Sequence, residues 1–386
     1  MAATLVLASL LALVVPGLAT GRPDDKAVLS ALGMTVENTP NPVLGADRRN
    51  HLAYEITIIN QSSSEVTLDR VQPRANGQTF GPALDPPELE SQLRVNGTGG
   101  PEIPAGGSAL LFMDVTYGKR EPAPNRLSHG VTTTLVSPDG PGSNQVISFI
   151  GVPTRVHPTD AIEVAPPLRG SGWVAGNGCC NPINAHRGAT LSIDGKVEVP
   201  ERFAIDYVQL DDEDRLFQGP IGQNSSYAYF GDRIHSVAGG RVVGLQDGQA
   251  EQTPGSLPTG QTVQTAGGNY VVVKLDDDHY AFYAHMQPGS LRVEKGDRVR
   301  RGEVLGLLGN TGNTDAAHLH FHIMDGPSPL QSNGLPFVHP RFTGEGRVTD
   351  NAALASGAVT PVDPDALAGS FRSTMPLGDQ VIDFGP

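Results

Sequence analysis

The sequence is poor in cysteine, aromatic residues and positive charge. Its 386 residues include two Cys and one Trp, aromatic residues are 5%, and 27 Lys and Arg against 41 Asp and Glu give a formal net charge of −14. Two cysteines cannot build a disulfide framework. An acidic chain is also a poor match for nucleic acid or for an anionic membrane surface, so we expect neither as a partner.

Glycine and proline are abundant instead. The 47 Gly and 32 Pro, together with only 18% charged residues, argue against long helices and coiled coils. They favour many short strands joined by turns, and therefore an all-β protein. The length is sufficient for two or three domains, each with its own core.

The one long apolar run lies at the N-terminus, over residues 3–16, and is followed by the small residues Gly17, Ala19 and Thr20. This pattern predicts a signal peptide over residues 1–20 and hence an exported protein, which is secreted, periplasmic or associated with the cell envelope. An uncleaved anchor is the alternative, although the run is short for a membrane span. We expect no membrane span in the mature chain.

Residues 21–151 read as alternating strands and turns, which predicts a β-sandwich that is immunoglobulin-like in the broad sense. No cluster of chemically active side chains is evident there, and we interpret His51 and His129 as surface or core residues. Later strands of this domain are predicted at 109–116, 130–136 and 145–151.

Composition divides the rest of the chain into three parts. Residues 152–170 contain four prolines and no periodicity, which predicts a linker. Strand patterns resume over 171–344, the predicted second domain. Residues 345–386 are rich in Gly and Pro, and we expect an extended C-terminal tail over the surface.

Histidines are concentrated in the second domain, most densely at His318, His320 and His322. In a strand, alternate side chains share one face and lie roughly 6.5–7 Å apart, while Leu319 and Phe321 enter the core. One imidazole can then bind a metal while the next reaches a water at that metal.

A second strand ends in a histidine. Residues 281–285 read AFYAH, and 269–275 with the turn at 276–279 complete a predicted hairpin before His285. If this hairpin pairs near 318–322, His285 faces the same cavity.

Three stretches in this order resemble the M23 (lysostaphin/LytM-like) zinc metallopeptidases: GDRIHSVAGGRVVGLQDG at 231–248, GGNYVVVKL at 267–275, and FYAHMQPGSLRVEKGDRVRRGEVLGLLGNTGNTDAAHLHFH at 282–322. The resemblance implies an antiparallel β-sheet peptidase domain of the LytM type. It also implies one Zn²⁺ per chain, held by a His, an Asp and the second His of HxH. Carried over, His320 is a zinc ligand, and His285 and His318 are the catalytic pair.

The other two ligands implied by the resemblance are His186 and Asp206. The family usually places them four positions apart, whereas here 20 positions separate them. We expect residues 191–202 to form an inserted hairpin or loop that returns the chain beside His186. Asp206, flanked by apolar strand residues, needs a compensating partner. A surface acid at a strand end is the alternative for Asp206, and the rivals of His186 are His235 and His279.

Three residues near these positions leave alternatives open. His322 supports a ligand, contacts the rim or faces solvent. Cys179 and Cys180 are adjacent, and in an exported chain they could close a vicinal disulfide. They could instead be free buried thiols or join His186 in a separate metal site.

These features predict an exported zinc endopeptidase whose substrate is a peptide, by resemblance the peptide part of bacterial cell-wall peptidoglycan. Two histidines and one carboxylate leave a fourth zinc position for an activated water, and His318 or His285 can accept its proton. The first alternative is a non-catalytic M23-like module that binds or regulates a cell-wall enzyme or another partner. The second is an adhesion or docking role for the sandwich, with the second domain vestigial.

Overall fold

The computed structural model describes residues 27–386 apart from residues 97, 181, 182 and 330. The predicted signal peptide lies outside this range. None of the helices in the described part of the chain combines the length and apolar character needed to span a bilayer. Residues 31–386 form one compact unit.

The first half consists of strands with one short helix. Its elements are β1 (Leu32–Val36), β2 (Pro42–Leu44), β3 (Arg49–Asn60), β4 (Val66–Ala75), β5 (Gln78–Thr79), α1 (Pro86–Gln92), β6 (Leu93–Val95), β7 (Thr98–Gly99), β8 (Glu102–Ile103), β9 (Ser108–Gly118), β10 (Arg126–Leu135) and β11 (Gln145–Arg155).

These strands form two antiparallel sheets that share one core. The first sheet has the order β1-β3-β9-β6-β7 with β2 also paired to β3, and the second has the order β11-β10-β4-β5 with β8 paired to β4. Tyr54, Ile56 and Ile58 recur every second residue of β3 and are fully buried, as the two-residue period of a strand requires. Two sheets packed over one core make this half a β-sandwich; its immunoglobulin-like character stays a prediction.

The second half adds eighteen strands and two short helices. These elements are β12 (Ile162–Glu163), β13 (Trp173–Gly176), α2 (Ala185–Gly188), β14 (Leu191–Ile193), β15 (Lys196–Glu198), β16 (Ile205–Gln209), β17 (Arg233–His235), β18 (Gly240–Gln246), β19 (Asn269–Lys274), β20 (Tyr280–Met286), β21 (Arg298–Val299), β22 (Val304–Leu307), β23 (Leu319–Met324), β24 (Gly334–Leu335), β25 (Phe337–Val338), β26 (Phe342–Val348), α3 (Asn351–Ser356), β27 (Val362–Asp363), β28 (Gly369–Phe371) and β29 (Gln380–Asp383).

One large antiparallel sheet organises this half, in the order β21-β18-β19-β20-β23-β16-β13-β29-β26-β27, with β24 and β28 paired at its sides. The all-β class with antiparallel sheets is therefore confirmed. At its centre β23 is buried along its whole length and lies between β20 and β16. Leu319 and Phe321 point into the core, as their alternation with the histidines predicts.

The structure differs from the expectation of an extended C-terminal tail over 345–386. Strand β29 pairs with β13 on one side and with β26 on the other, so this segment completes the large sheet. The physical reason is burial: Val381 and Ile382 of β29 are apolar and are almost fully excluded from solvent there. The predicted linker 152–170 begins inside β11 and contains β12, which pairs in parallel with β25.

Candidate metal centre

Three side chains from separate parts of the sequence converge on one point. His186, Asp206 and His320 each offer a ligand atom, and these atoms lie within 4.8 Å of one another. His186 Nε2 is 3.1 Å from Asp206 Oδ2, and His320 Nδ1 is 2.9 Å from Asp206 Oδ1. Asp206 and His320 face each other because β16 and β23 pair in a register that sets them opposite.

His186 lies just before an inserted hairpin. It sits in α2, whose N-cap residue Asn184 accepts a hydrogen bond from the backbone N–H of Arg187. The chain then forms the β14–β15 hairpin at 191–198, within the range where the sequence predicts an inserted hairpin, before it enters β16. His186 Nδ1 lies 3.0 Å from the carbonyl oxygen of Ala204, so Nδ1–H donates to that carbonyl and Nε2 faces the Asp206 carboxylate.

A second group of histidines shares the same cavity. His285, His318 and His320 also offer ligand atoms within 4.8 Å of one another, and the ring centroids of His285 and His318 are 4.5 Å apart. His285 Nδ1 lies 2.6 Å from the Thr311 carbonyl and His318 Nδ1 lies 2.9 Å from the Ala316 carbonyl. Because each Nδ1–H donates to a backbone carbonyl, each Nε2 is the proton-accepting nitrogen of the neutral ring. His318 Nε2 also lies 3.3 Å from Asp206 Oδ1.

Burial and charge set the protonation of this cluster. Burial alone would raise the pKa of Asp206, but the imidazoles of His186 and His318 outweigh it and hold that pKa well below its usual range. Burial alone would lower the pKa of His186, but the Asp206 carboxylate raises it to about 9. Burial and the neighbouring imidazoles lower the pKa of His285 well below its usual value. At neutral pH the centre therefore contains the anionic Asp206 carboxylate paired with the protonated imidazole of His186, beside the neutral imidazole of His285.

His322 is buried, so the solvent-facing alternative from the sequence is wrong. Its Nδ1 lies 3.0 Å from His320 Nε2. When His320 Nδ1 is a ligand its proton sits on Nε2, and that N–H donates to His322 Nδ1. His322 Nε2 is buried without a hydrogen-bond partner among the described residues. The ring thus orients His320 and selects its tautomer, as outer partners of metal-bound histidines commonly do.

The rival residues lie elsewhere. His235 Nδ1 is bonded to the Gly302 carbonyl, and His279 is bonded to Asp276 in the turn before β20. Cys179 and Cys180 form a vicinal disulfide, so the free-thiol and thiolate-ligand alternatives are wrong.

The centre opens into a cavity of about 690 Å³. Its lining includes the apolar side chains of Leu257 and Val263, both exposed, and Glu201, whose Oε1 lies 3.7 Å from His320 Nε2. Sequence reasoning missed all three residues because they carry no periodicity or motif. The cavity is large enough for several residues of an extended peptide, and its mixed lining suits such a ligand.

The donor set fits zinc. Two imidazole nitrogens and one carboxylate oxygen are the ligands that a catalytic zinc site uses, with one position left open. All three donors are buried or nearly so, and two of them have their second polar atom occupied by a protein partner, which fixes their orientation.

Comparison with known proteins shows which family and which curated proteins this part of the chain is similar to. Residues 225–332 match the model described as Peptidase family M23. That stretch contains His285, His318 and His320, whereas His186 and Asp206 precede it. Among curated proteins, peptidoglycan DD-endopeptidase ShyA of Vibrio cholerae is 31% identical over 90 residues, which is 20% of this chain and 20% of that protein. Glycyl-glycine endopeptidase ALE-1 of Staphylococcus capitis is 32% identical over 105 residues, 27% of this chain and 26% of that protein.

The solved catalytic domain of lysostaphin from Staphylococcus simulans aligns with 37% of this chain and 80% of that domain, at 22% identity and a TM-score of 0.22. The chain spans about a fifth to a quarter of the length of the two curated relatives. The resemblance stated from the sequence is confirmed by the family match, in which residues 225–332 of this chain match peptidase family M23.

Proposed function

We propose that this protein is an exported zinc-dependent endopeptidase that hydrolyses peptide bonds in bacterial cell-wall peptidoglycan. The observation that carries the proposal is the convergence of His186, Asp206 and His320 within 4.8 Å, beside the imidazoles of His285 and His318. The non-catalytic alternative draws its sequence support from the missing four-residue spacing of the first two ligands. The hairpin insertion accounts for that spacing, because it brings both residues together.

His186 Nε2, Asp206 and His320 Nδ1 would hold the zinc, which would supply a Lewis acid for the scissile carbonyl and for water. The Asp206 carboxylate is anionic and neutralises part of the ion's charge. His285 and His318 stand on the cavity side with Nδ1 tied to backbone carbonyls. One of these imidazoles takes the proton of the attacking water and returns it to the leaving amine, and the other stabilises the charge that develops on the carbonyl oxygen.

The substrate class follows from the relatives and from the cavity. ShyA and ALE-1 are named for endopeptidase activity on peptidoglycan and on glycyl-glycine bonds, respectively. The cavity here, at about 690 Å³, has room for a peptide chain rather than only a single amino acid. Peptidoglycan contains such peptides and lies outside the cytoplasm, where the predicted signal peptide would direct this protein.

The test is digestion of purified peptidoglycan and of a small panel of cross-bridge peptides by the full chain. Wild type is expected to release new amino termini, and His318→Ala is expected to release none. His279→Ala is the matched control, because His279 lies in the surface turn bonded to Asp276 and outside the cavity. Equal product from wild type and His318→Ala, or no product from zinc-loaded wild type on any of these substrates, contradicts the proposal.

A further inference from the structure

A buried carboxylate of the sandwich contacts two buried arginines of the second half. Glu55 lies on β3 and is fully buried, as are Arg187 and Arg202 to within a few per cent. Arg202 approaches Glu55 as a fork, with Nε 2.9 Å and Nη2 2.6 Å from Oε2. Arg187 Nη2 lies 3.5 Å from Oε1 of the same carboxylate.

The two arginines mark the two ends of the insertion. Arg187 directly follows His186, and Arg202 lies four residues before Asp206, so one carboxylate holds the chain where it leaves His186 and where it returns to the β16 strand. The position of the chain where it re-enters β16 also affects His186, because the Ala204 carbonyl accepts the hydrogen bond from His186 Nδ1.

Other contacts add to the same attachment. Arg187 Nη2 donates to the Met113 carbonyl at 3.0 Å, and its guanidinium carbon lies 5.7 Å from the centre of the Phe112 ring, both on β9 of the sandwich. Arg187 Nη1 also donates to the Cys180 carbonyl. Arg202 Nη1 donates to the Gly334 carbonyl at 3.1 Å.

Local structure alone is too weak to hold His186 in place. Helix α2 has four residues, far fewer than an isolated helix needs for stability, and the β14–β15 hairpin that follows has three-residue strands with no fully buried apolar side chain in β14. A buried ion pair contributes little net stability compared with apolar residues of the same volume. What this one supplies is a defined position for the chain on both sides of the insertion.

We propose that Glu55 is a positioning residue for the metal centre. Through Arg187 and Arg202 the sandwich fixes the position of His186 relative to Asp206. The first half of the protein therefore helps to position the metal ligands and is not an independent docking module. This inference rests on the proposed function.

The experiment measures zinc affinity of the metal-free full chain, by titration with Zn²⁺ against a chromophoric chelator, well below the unfolding temperature of each variant. Glu55→Gln keeps the shape of the side chain and removes its charge. The double variant Glu55→Met with Arg202→Met replaces the pair by apolar residues, a change that buried ion pairs tolerate in stability. Tyr54→Phe is the matched control, because its hydroxyl makes a buried 2.6 Å hydrogen bond to His129 within the sandwich.

Both Glu55 variants are expected to bind zinc about 10–100-fold more weakly than wild type, as loss of an outer positioning contact does, whereas Tyr54→Phe is expected to lose stability and keep wild-type affinity. Wild-type affinity in a folded Glu55 variant overturns the inference, and so does failure of the double variant to fold, since the pair would then serve the whole fold. Failure of wild type itself to bind zinc contradicts the proposed function instead.

Discussion

His186 Nε2 lies 3.1 Å from Asp206 Oδ2, although 20 positions separate the two residues in the chain. The distance is that of a direct contact between the two side chains, and His320 Nδ1 lies 2.9 Å from the other carboxylate oxygen. The short hairpin between them therefore adds length to the chain without separating the ligands in space.

Removal of a ligand is expected to remove the metal. Wild type purified with zinc should contain about one zinc per chain. His320→Ala and Asp206→Asn should contain little, because the two remaining donors bind the ion too weakly to retain it during dialysis. Elemental analysis after dialysis measures this. A full complement of zinc in His320→Ala would show that the ion binds elsewhere.

The two cavity histidines are expected to affect catalysis while leaving the metal in place. His285→Ala and His318→Ala should each retain zinc and lose activity by about 10²–10⁴-fold, the usual contribution of a positioned acid or base. Peptide hydrolysis and zinc content are measured on the same samples, with His279→Ala as control. Loss of zinc in both variants would instead assign these residues to the ligand set.

His322 offers a test of tautomer selection. His322→Phe removes the acceptor for His320 Nε2–H and is expected to weaken zinc binding by about 10–100-fold. His322→Asn places a carbonyl oxygen where Nδ1 stood and should recover much of the affinity. Chelator competition distinguishes the two variants; identical affinities for Phe and Asn at this position would contradict a hydrogen-bonding role.

We expect the folded protein to lose stability at alkaline pH because His51 loses its proton. Burial alone would lower the pKa of His51, but Asp114 and Asp47, both bonded to its ring, outweigh burial and raise that pKa to about 10. The folded-state pKa lies above the unfolded value of 6.5, so the stabilisation is fully present below pH 6.5 and is lost as the pH rises from 6.5 to 10.

The measurement compares unfolding of wild type and His51→Gln by denaturant at several pH values. The variant should be less stable by ~5 kcal/mol at pH 6, and the difference should shrink towards pH 10. Taking the difference cancels the titration of other groups. A gap that stays constant from pH 6 to pH 10 would show that His51 is neutral in the folded protein.

The sequence reveals the parts of the site that depend on local periodicity. Alternation places His318, His320 and His322 together, and β20 and β23 pair so that Ala284 faces His320, which brings His285 to the same cavity. The β19–β20 hairpin joins neighbouring strands through one turn, which sequence spacing reports well, whereas β20 and β23 pair across 36 to 44 positions and sequence spacing gives their pairing only as a condition.

Contacts over long separations are different. Glu55 and Arg202 are 147 positions apart, and no pattern in either segment marks the pair, because each reads as a charged residue in an otherwise ordinary stretch. Likewise, 380–383 reads as part of a Gly- and Pro-rich end. Its place between β13 and β26 depends on an open strand edge that only the assembled sheet provides.

That placement has a consequence for how the molecule is built. Strand β13 is hydrogen-bonded to β16, which carries Asp206, and its other edge stays open until β29 arrives. An open edge of this kind readily recruits other chains. During synthesis the large sheet therefore remains incomplete until residues 380–383 have emerged, and a chain cut before position 380 would expose the edge of β13 beside the strand that carries Asp206.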